Sequence, residues 1–119
     1  MVDDGVLAEL RASVQDDTAF VSDLIDAYVA DGAQLLDAIE AAVQALDAEA
    51  LIRPAHTLKS SSATLGAMAL SASARTLEMA GRAGTLDDPA ARDAAARIRG
   101  EWEAATAAMR EWIARAPDR

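Results

Sequence analysis

The chain contains no cysteine, one histidine (His56) and one lysine (Lys59) among its 119 residues. Without cysteine it can form no disulfide, and the absence of cysteine is compatible with a reducing cytosol. One histidine with scattered carboxylates does not make a ligand set, so we expect no metal site and no cofactor bound by this chain. These absences favour a cytoplasmic protein that folds without disulfides or metal.

Long hydrophobic runs and positive charge are also scarce. No apolar run approaches the ~20 residues that a membrane span needs, and the first ten residues, MVDDGVLAEL, are acidic, unlike a signal peptide. The formal net charge of −9 repels phosphate backbones and anionic lipids. We therefore expect neither nucleic-acid nor membrane binding, whereas a partner with a positively charged rim is compatible.

The residues that are abundant favour helix. Apolar residues make up 52% of the chain, many of them alanine, while aromatic residues make up only 3%. Alanine loses no side-chain entropy in a helix. With no repeat and no linker, residues 1–119 are predicted to form one all-α domain, an antiparallel up-down four-helix bundle with a short N-terminal cap helix. The predicted helices cover 4–14, 18–46, 48–65 and 67–83, and a fifth begins at Pro89.

Apolar spacing of three and four identifies the core-facing sides of the two long helices. In the second helix this stripe comprises Val21, Ile25, Tyr28, Gly32, Leu35, Ile39, Val43 and Leu46. In the fifth helix it comprises Ala91, Ala95, Ile98, Trp102, Ala105, Met109, Trp112 and Ala116. Gly32 could allow a close helix approach or a bend. Pro54 either kinks the third helix or begins it, and Gly66 is expected to end it.

The third helix carries His56 on its outer face. At about 100° per residue, one arc of this helix is apolar and must face the core. That arc comprises Leu51, Leu58, Ser62 and Leu65, with Ala55 at its margin. His56 lies nearly opposite, surrounded by Ile52, Lys59, Ser60 and Ala63. An exposed imidazole with few bulky neighbours can be approached by another protein.

An exposed neutral imidazole can act as a nucleophile toward phosphorus. Its unperturbed pKa of ~6.5 leaves it largely neutral at physiological pH, and it can accept a phosphoryl group and release it again. Lys59, one turn away, can supply a cation for the phosphoryl oxygens. No glycine-rich phosphate loop is present, so the group would have to come from a partner protein. The simpler interpretation, a solvated histidine without a role, is open on these grounds alone.

The stretch AHTLKSSSATLGA, from Ala55 to Ala67, closely resembles the signature of histidine-containing phosphotransfer (HPt) domains, A-H-x-L-K-G-x-S followed by a leucine-glycine-alanine step. Eight positions match: Ala55, His56, Leu58, Lys59, Ser62, Leu65, Gly66 and Ala67. The stretch containing Leu77 and Glu78 resembles the end of the helix that follows, and the second helix resembles the one before the signature. Ser60 stands where the family has glycine.

The resemblance implies a phosphocarrier, not an enzyme, in a multistep phosphorelay. His56 would carry the phosphoryl group on Nε2, and Lys59 would steady its oxygens. The partners would be response-regulator receiver domains, which bring Mg²⁺, and a sensor histidine kinase, simple or hybrid. Ser60 keeps the position small and could add a hydroxyl near the imidazole. Ser62 either bonds across helices or bonds its own backbone, and Gly66 is a structural helix terminator.

A receiver must cover His56, so apolar surface should lie beside it. The predicted docking residues are Val29, Ala33, Leu36, Ile52 and Ala63, although they could also simply widen the core stripe. We expect a monomer. Two other functions are compatible with the sequence: a helical adaptor that binds a kinase or receiver without carrying phosphate, and the phosphoacceptor module of a larger sensor or chemotaxis kinase.

Overall fold

A computed structural model describes residues 2–115, and this part of the chain contains helices and no strands. The four longer helices pack as an antiparallel bundle in which α2 contacts α3, α3 contacts α4, α4 contacts α5 and α5 returns to α2. The molecule measures 48 × 19 × 19 Å, as two helices of 27 residues require. The predicted all-α bundle is confirmed. Its helices are α1 (Asp4–Ser13), α2 (Thr18–Gln44), α3 (Ala48–Thr64), α4 (Met68–Ala83) and α5 (Pro89–Arg115).

The helices begin and end where short side chains and turns provide hydrogen-bond partners for the backbone groups at their ends. Asp17 accepts a hydrogen bond from the Phe20 amide at 3.1 Å, and Asp47 accepts one from the Ala50 amide at 3.1 Å. Both are N-caps, of α2 and α3 respectively. The helix α2 ends two residues before the predicted Leu46, because Leu46 takes a left-handed φ of 54° in the turn that leads to the Asp47 cap.

The buried side of α2 differs from the predicted stripe in its second half. Up to Gly32 the stripe is as predicted, but Leu36 and Ala42 are then buried where Leu35 and Val43 were expected. Leu35 and Val43 are only half-buried. Adjacent apolar residues fit a period of 3.6 almost equally well, so the choice between them depends on where the neighbouring helices lie.

The proline in α3 neither begins a helix nor divides one. The helix α3 runs without interruption from Ala48 to Thr64, with Pro54 inside it. Its neighbour α4 approaches closely at Gly81, where a Cβ would lie 2.9 Å from the Ala48 carbonyl oxygen. The missing side chain at Gly81 thus lets the first turn of α3 contact α4 directly.

The short helix α1 is fastened to the turn after α3. The Asp3 amide donates to the Gly66 carbonyl at 2.9 Å, and Leu7 is fully buried in the core. Gly66 has a φ of +82°, and a Cβ there would meet the Asp3 carbonyl at 3.0 Å. Gly66 therefore ends α3, as predicted, and leaves room for α1.

The predicted seam of α5 is buried, with small differences. Trp102 and Trp112 lie in the core, as predicted. Ala94 is buried and Ala95 is half-buried, whereas Ala116 lies outside the described residues. None of the helices within residues 2–115 combines the length and apolar character that a membrane span needs.

Candidate functional site

The imidazole of His56 stands on the solvent side of α3. Its side chain is 54% exposed. The opposite arc of the helix is buried, as the projection predicts, and comprises Leu51, Ala55, Leu58, Ser62 and Leu65. The ring is therefore accessible to a second protein.

A carboxylate from α4 fixes the orientation of this ring. His56 Nδ1 lies 2.9 Å from Glu78 Oε2. An ionised carboxylate can only accept, so Nδ1 carries the hydrogen and donates it, and the lone pair of the neutral ring lies on Nε2. Among the described residues no hydrogen bond to Nε2 is found. The nitrogen that is free to react is the one that faces away from Glu78.

Glu78 is itself held by two cations. Its side chain is only 6% exposed; Lys59 Nζ lies 2.7 Å from Oε1, and Arg82 Nη2 lies 2.8 Å from Oε2. Hydrogen bonding from Lys59 is the main cause that lowers the pKa of Glu78 to about 2, with Arg82 and His56 adding to it and burial opposing it. The carboxylate is therefore ionised throughout the physiological range.

Glu78 is the site residue that the sequence analysis did not assign. The resemblance marked Glu78 only as part of a helix end. One further signal was present, because Glu78 lies four residues after Ala74 and three before Gly81, on the apolar side of α4. A carboxylate on the buried side of a helix needs a charged or hydrogen-bonding partner, and the exposed His56 and Lys59 were available.

Ser62 bonds across helices and not to its own backbone. It is fully buried, and its Oγ lies 2.7 Å from the Tyr28 hydroxyl of α2. Burial raises the pKa of Tyr28 to about 12, so the phenol stays protonated. This bond joins α3 to α2 on the side opposite His56.

Ser60 and the backbone of Lys59 shape the surface beside the imidazole. Ser60 is exposed, and its carbonyl accepts a hydrogen bond from Thr64 Oγ1 at 3.0 Å. The Lys59 carbonyl accepts one from Ser71 Oγ of α4 at 2.8 Å, which adds a second link between α3 and α4 at this level. The serine in place of glycine leaves the imidazole exposed.

The predicted docking residues do not form one surface. Leu36 is fully buried, so the prediction that it lines a surface is wrong. Val29 packs half-buried against the core, and Ala33 is exposed. At 100° per residue Ala33 lies about 180° from Leu24, which borders α3. For Leu36 the error has the same origin as the shifted stripe, because the buried side of α2 was misplaced in its second half.

The remaining two predicted docking residues lie on α3. Ile52 and Ala63 are both half-buried on the side of His56. Ile52 Cγ1 would lie 3.0 Å from a Cβ at Gly81, so Ile52 fills the contact between α3 and α4.

An open apolar groove lies between α2 and α3. Its lining includes Thr57, the residue after His56, and the partly exposed Leu24. We call this the α2/α3 groove; its lining residues include Leu24, Ala27, Asp31, Leu35, Thr57 and Ser61. Within residues 2–115, no group of three or more histidine, cysteine or acidic side chains is placed to hold a metal ion.

Comparison with known proteins agrees with this geometry. The family model for the Hpt domain matches residues 23–112. The crystal structure of histidine-containing phosphotransfer protein B (HptB) from Pseudomonas aeruginosa PAO1 superimposes with a TM-score of 0.83 at 30% sequence identity, covering 98% of this chain and 96% of that chain. A search of curated proteins gave no match. This chain belongs to the Hpt domain family, whose role is histidine phosphotransfer in phosphorelays.

Proposed function

We propose that this protein is a phosphocarrier that accepts a phosphoryl group on His56 from the aspartate of a receiver domain, or from a kinase, and passes it to the aspartate of another receiver. The observation that carries the proposal is the exposed imidazole whose Nδ1 is bonded to the buried carboxylate of Glu78 at 2.9 Å. That bond directs the lone pair of Nε2 toward solvent, where a receiver can approach.

The chemical step requires little from the carrier. The lone pair of Nε2 forms the N–P bond while the P–O bond of the aspartyl phosphate breaks, and its electrons leave with the aspartate carboxylate. The Nδ1 proton stays on the ring, which becomes cationic, and Glu78 faces the new charge at hydrogen-bonding distance. The reverse sequence delivers the group to the next receiver.

Lys59 and the partner supply the remaining charges in this proposal. Lys59 is 30% exposed and lies one turn from His56, so its ammonium can reach the equatorial oxygens of the phosphoryl group. The Mg²⁺ ion belongs to the receiver. We infer that the carrier itself is not an enzyme, acts as a monomer and works in the cytoplasm.

We place the receiver on the α2/α3 groove in this proposal. The groove offers apolar surface that extends to Thr57, the residue after His56, whereas Lys59 and Glu78 lie toward α4. A receiver seated there would cover His56 and exclude water from the aspartyl phosphate. The groove replaces the docking surface that the sequence predicted, and of that surface only Ile52 and Ala63 remain close to His56.

The test is transfer from a ³²P-phosphorylated receiver. We expect an acid-labile, base-stable label on the wild-type protein and none on His56→Gln, because glutamine has no nucleophilic ring nitrogen. Circular dichroism checks that His56→Gln is folded. A label that persists on folded His56→Gln contradicts the assignment of the site, and a wild type that binds the receiver without acquiring label is an adaptor.

A further inference from the structure

Glu78 is paired with two permanent cations although one would balance its charge. Lys59 Nζ occupies Oε1 at 2.7 Å, while Arg82 places Nη2 and Nε 2.8 and 3.1 Å from Oε2. His56 Nδ1 shares Oε2 with Arg82. The two cations thus hold different oxygens of one carboxylate. This local excess of positive charge occurs in a chain with a net charge of −9.

Lys59 pairs with Glu78, whereas the proposed function requires it to pair with the phosphoryl group. This inference rests on that proposed function. As the only lysine in the chain, Lys59 is expected to pair with the phosphoryl oxygens, yet it is bound to Glu78. Moving it away would leave a carboxylate of 6% exposure without that partner. A buried carboxylate without a cation is strongly destabilised and tends to take up a proton, and a protonated Glu78 would orient the imidazole less firmly.

Arg82 resolves the conflict. It follows Glu78 by one turn on α4 and donates two N–H groups to the same oxygen that holds His56. A guanidinium is always charged and bonds a carboxylate through a rigid fork. The charge of Glu78 therefore stays balanced by Arg82 at Oε2 when Lys59 leaves Oε1.

We infer that Arg82 is a positioning residue that keeps Glu78 in place at Oε2, so that the Lys59 ammonium can leave Oε1 and pair with the phosphoryl oxygens on His56. After this exchange each anion retains a cation: Arg82 stays on Glu78, and Lys59 faces the phosphoryl group. Arg82 acts through Glu78 and does not touch the phosphoryl group.

The composition makes the exchange directly observable. With one lysine and one histidine, ¹⁵N labelling of these two residue types yields one Nζ signal from Lys59 and two ring-nitrogen signals, Nδ1 and Nε2, from His56. The protein is phosphorylated with phosphoramidate, a small donor that needs no receiver. The measured quantities are the change in the Lys59 Nζ shift on phosphorylation, the His56 Nδ1 shift, and the hydrolysis half-life of the phosphohistidine.

In the wild type we expect the Lys59 signal to shift on phosphorylation while Nδ1 stays protonated. In Arg82→Gln we expect the Lys59 shift change to fall by more than half, because Lys59 stays with Glu78, and the half-life to shorten by about fivefold. Arg82→Lys keeps the charge, so it should restore most of the Lys59 shift change and most of the phosphohistidine half-life. Arg75→Gln is the matched control, since Arg75 is exposed on α4 and makes no ion pair within residues 2–115; it should behave as the wild type.

Three results would overturn the inference. They are a Lys59 signal that does not respond to phosphorylation in the wild type, an Arg82→Gln protein with the wild-type response, and an Arg75→Gln protein that matches Arg82→Gln. In each of these cases the carrier function could still hold, because it is tested separately by transfer from a receiver.

Discussion

His56 and Lys59 come from one turn of α3, but the carboxylate that organises them comes from α4. Glu78 orients the imidazole through Nδ1 and holds the ammonium through Oε1, at 2.9 and 2.7 Å. The buried side chain of Glu78 thus leaves Nε2 of His56 as the ring nitrogen that can react, and it holds the Lys59 ammonium nearby.

The ionisation of Glu78 links stability to pH. Its pKa lies at about 2 in the folded protein against an ordinary value of 4.5, so its stabilising contribution is fully present above pH 4.5 and is lost as the pH falls toward 2. We expect Glu78→Gln to lower the free energy of unfolding by about 2 kcal/mol at pH 7. The difference from the wild type should shrink steadily below pH 4.5. Urea unfolding at a series of pH values measures it.

Glu101→Gln is a suitable control for this prediction. Glu101 accepts a hydrogen bond from Ser73 at 2.6 Å but lies far more open to solvent than Glu78. Glu101→Gln should lower the free energy of unfolding at pH 7 by less than Glu78→Gln does. A Glu78→Gln protein whose difference from the wild type does not change between pH 7 and pH 2.5 would contradict the assigned ionisation.

At the scale of helices, close approaches decide the packing of the bundle. The ring of Trp102 from α5 lies over Gly32 of α2, and it would collide with any Cβ there. Tyr28 packs against the same tryptophan with ring centroids 5.3 Å apart. Gly32 therefore marks a close helix approach, one of the two readings that the sequence left open.

We expect Gly32→Ala to destabilise the protein by about 2 kcal/mol, because the gain in helix propensity is smaller than the cost of displacing Trp102. Gly100→Ala is the matched control. Gly100 lies inside α5 with nothing within 4 Å of a Cβ, so alanine should stabilise there by about 1 kcal/mol. Thermal unfolding of both variants measures the contrast. Equal effects with the same sign would show that Trp102 yields to the new methyl group.

The exposed ion pairs between helices contribute less to packing than these contacts. Arg99 of α5 bonds Glu40 of α2 through Nε at 2.9 Å and Asp37 through Nη2 at 3.0 Å, which lowers the pKa of Glu40. Such solvent-exposed pairs are screened and typically contribute little. The antiparallel arrangement of α2 and α5 is therefore attributable mainly to the apolar seam.

For the whole molecule, the α2/α3 groove should decide how a receiver docks. We expect Leu24→Asp to slow transfer from a phosphorylated receiver about tenfold at low receiver concentration, since it places a charge in the apolar α2/α3 groove on which the receiver is proposed to dock. Leu24 is 36% exposed, so the substitution should leave the fold intact. Single-turnover transfer kinetics at several receiver concentrations measure the effect.

Ala33→Asp is the control for the groove. It makes the same charge change on the same helix, but Ala33 is exposed on the side turned away from α3. If Ala33→Asp slows transfer as much as Leu24→Asp, the groove is not the docking surface, and added negative charge alone explains the effect.

The amino-acid sequence by itself determined the helices, their caps and the outward position of His56. These properties depend on neighbours within a few residues and on a period of 3.6, and both can be read along one chain. The tertiary structure alone decided that Glu78 bonds His56, that Ser62 bonds Tyr28, and that Leu36 faces the core while Leu35 borders the groove. Such contacts join residues 22 and 34 positions apart, so they depend on the rotation of each helix against its neighbours, which helical periodicity does not specify.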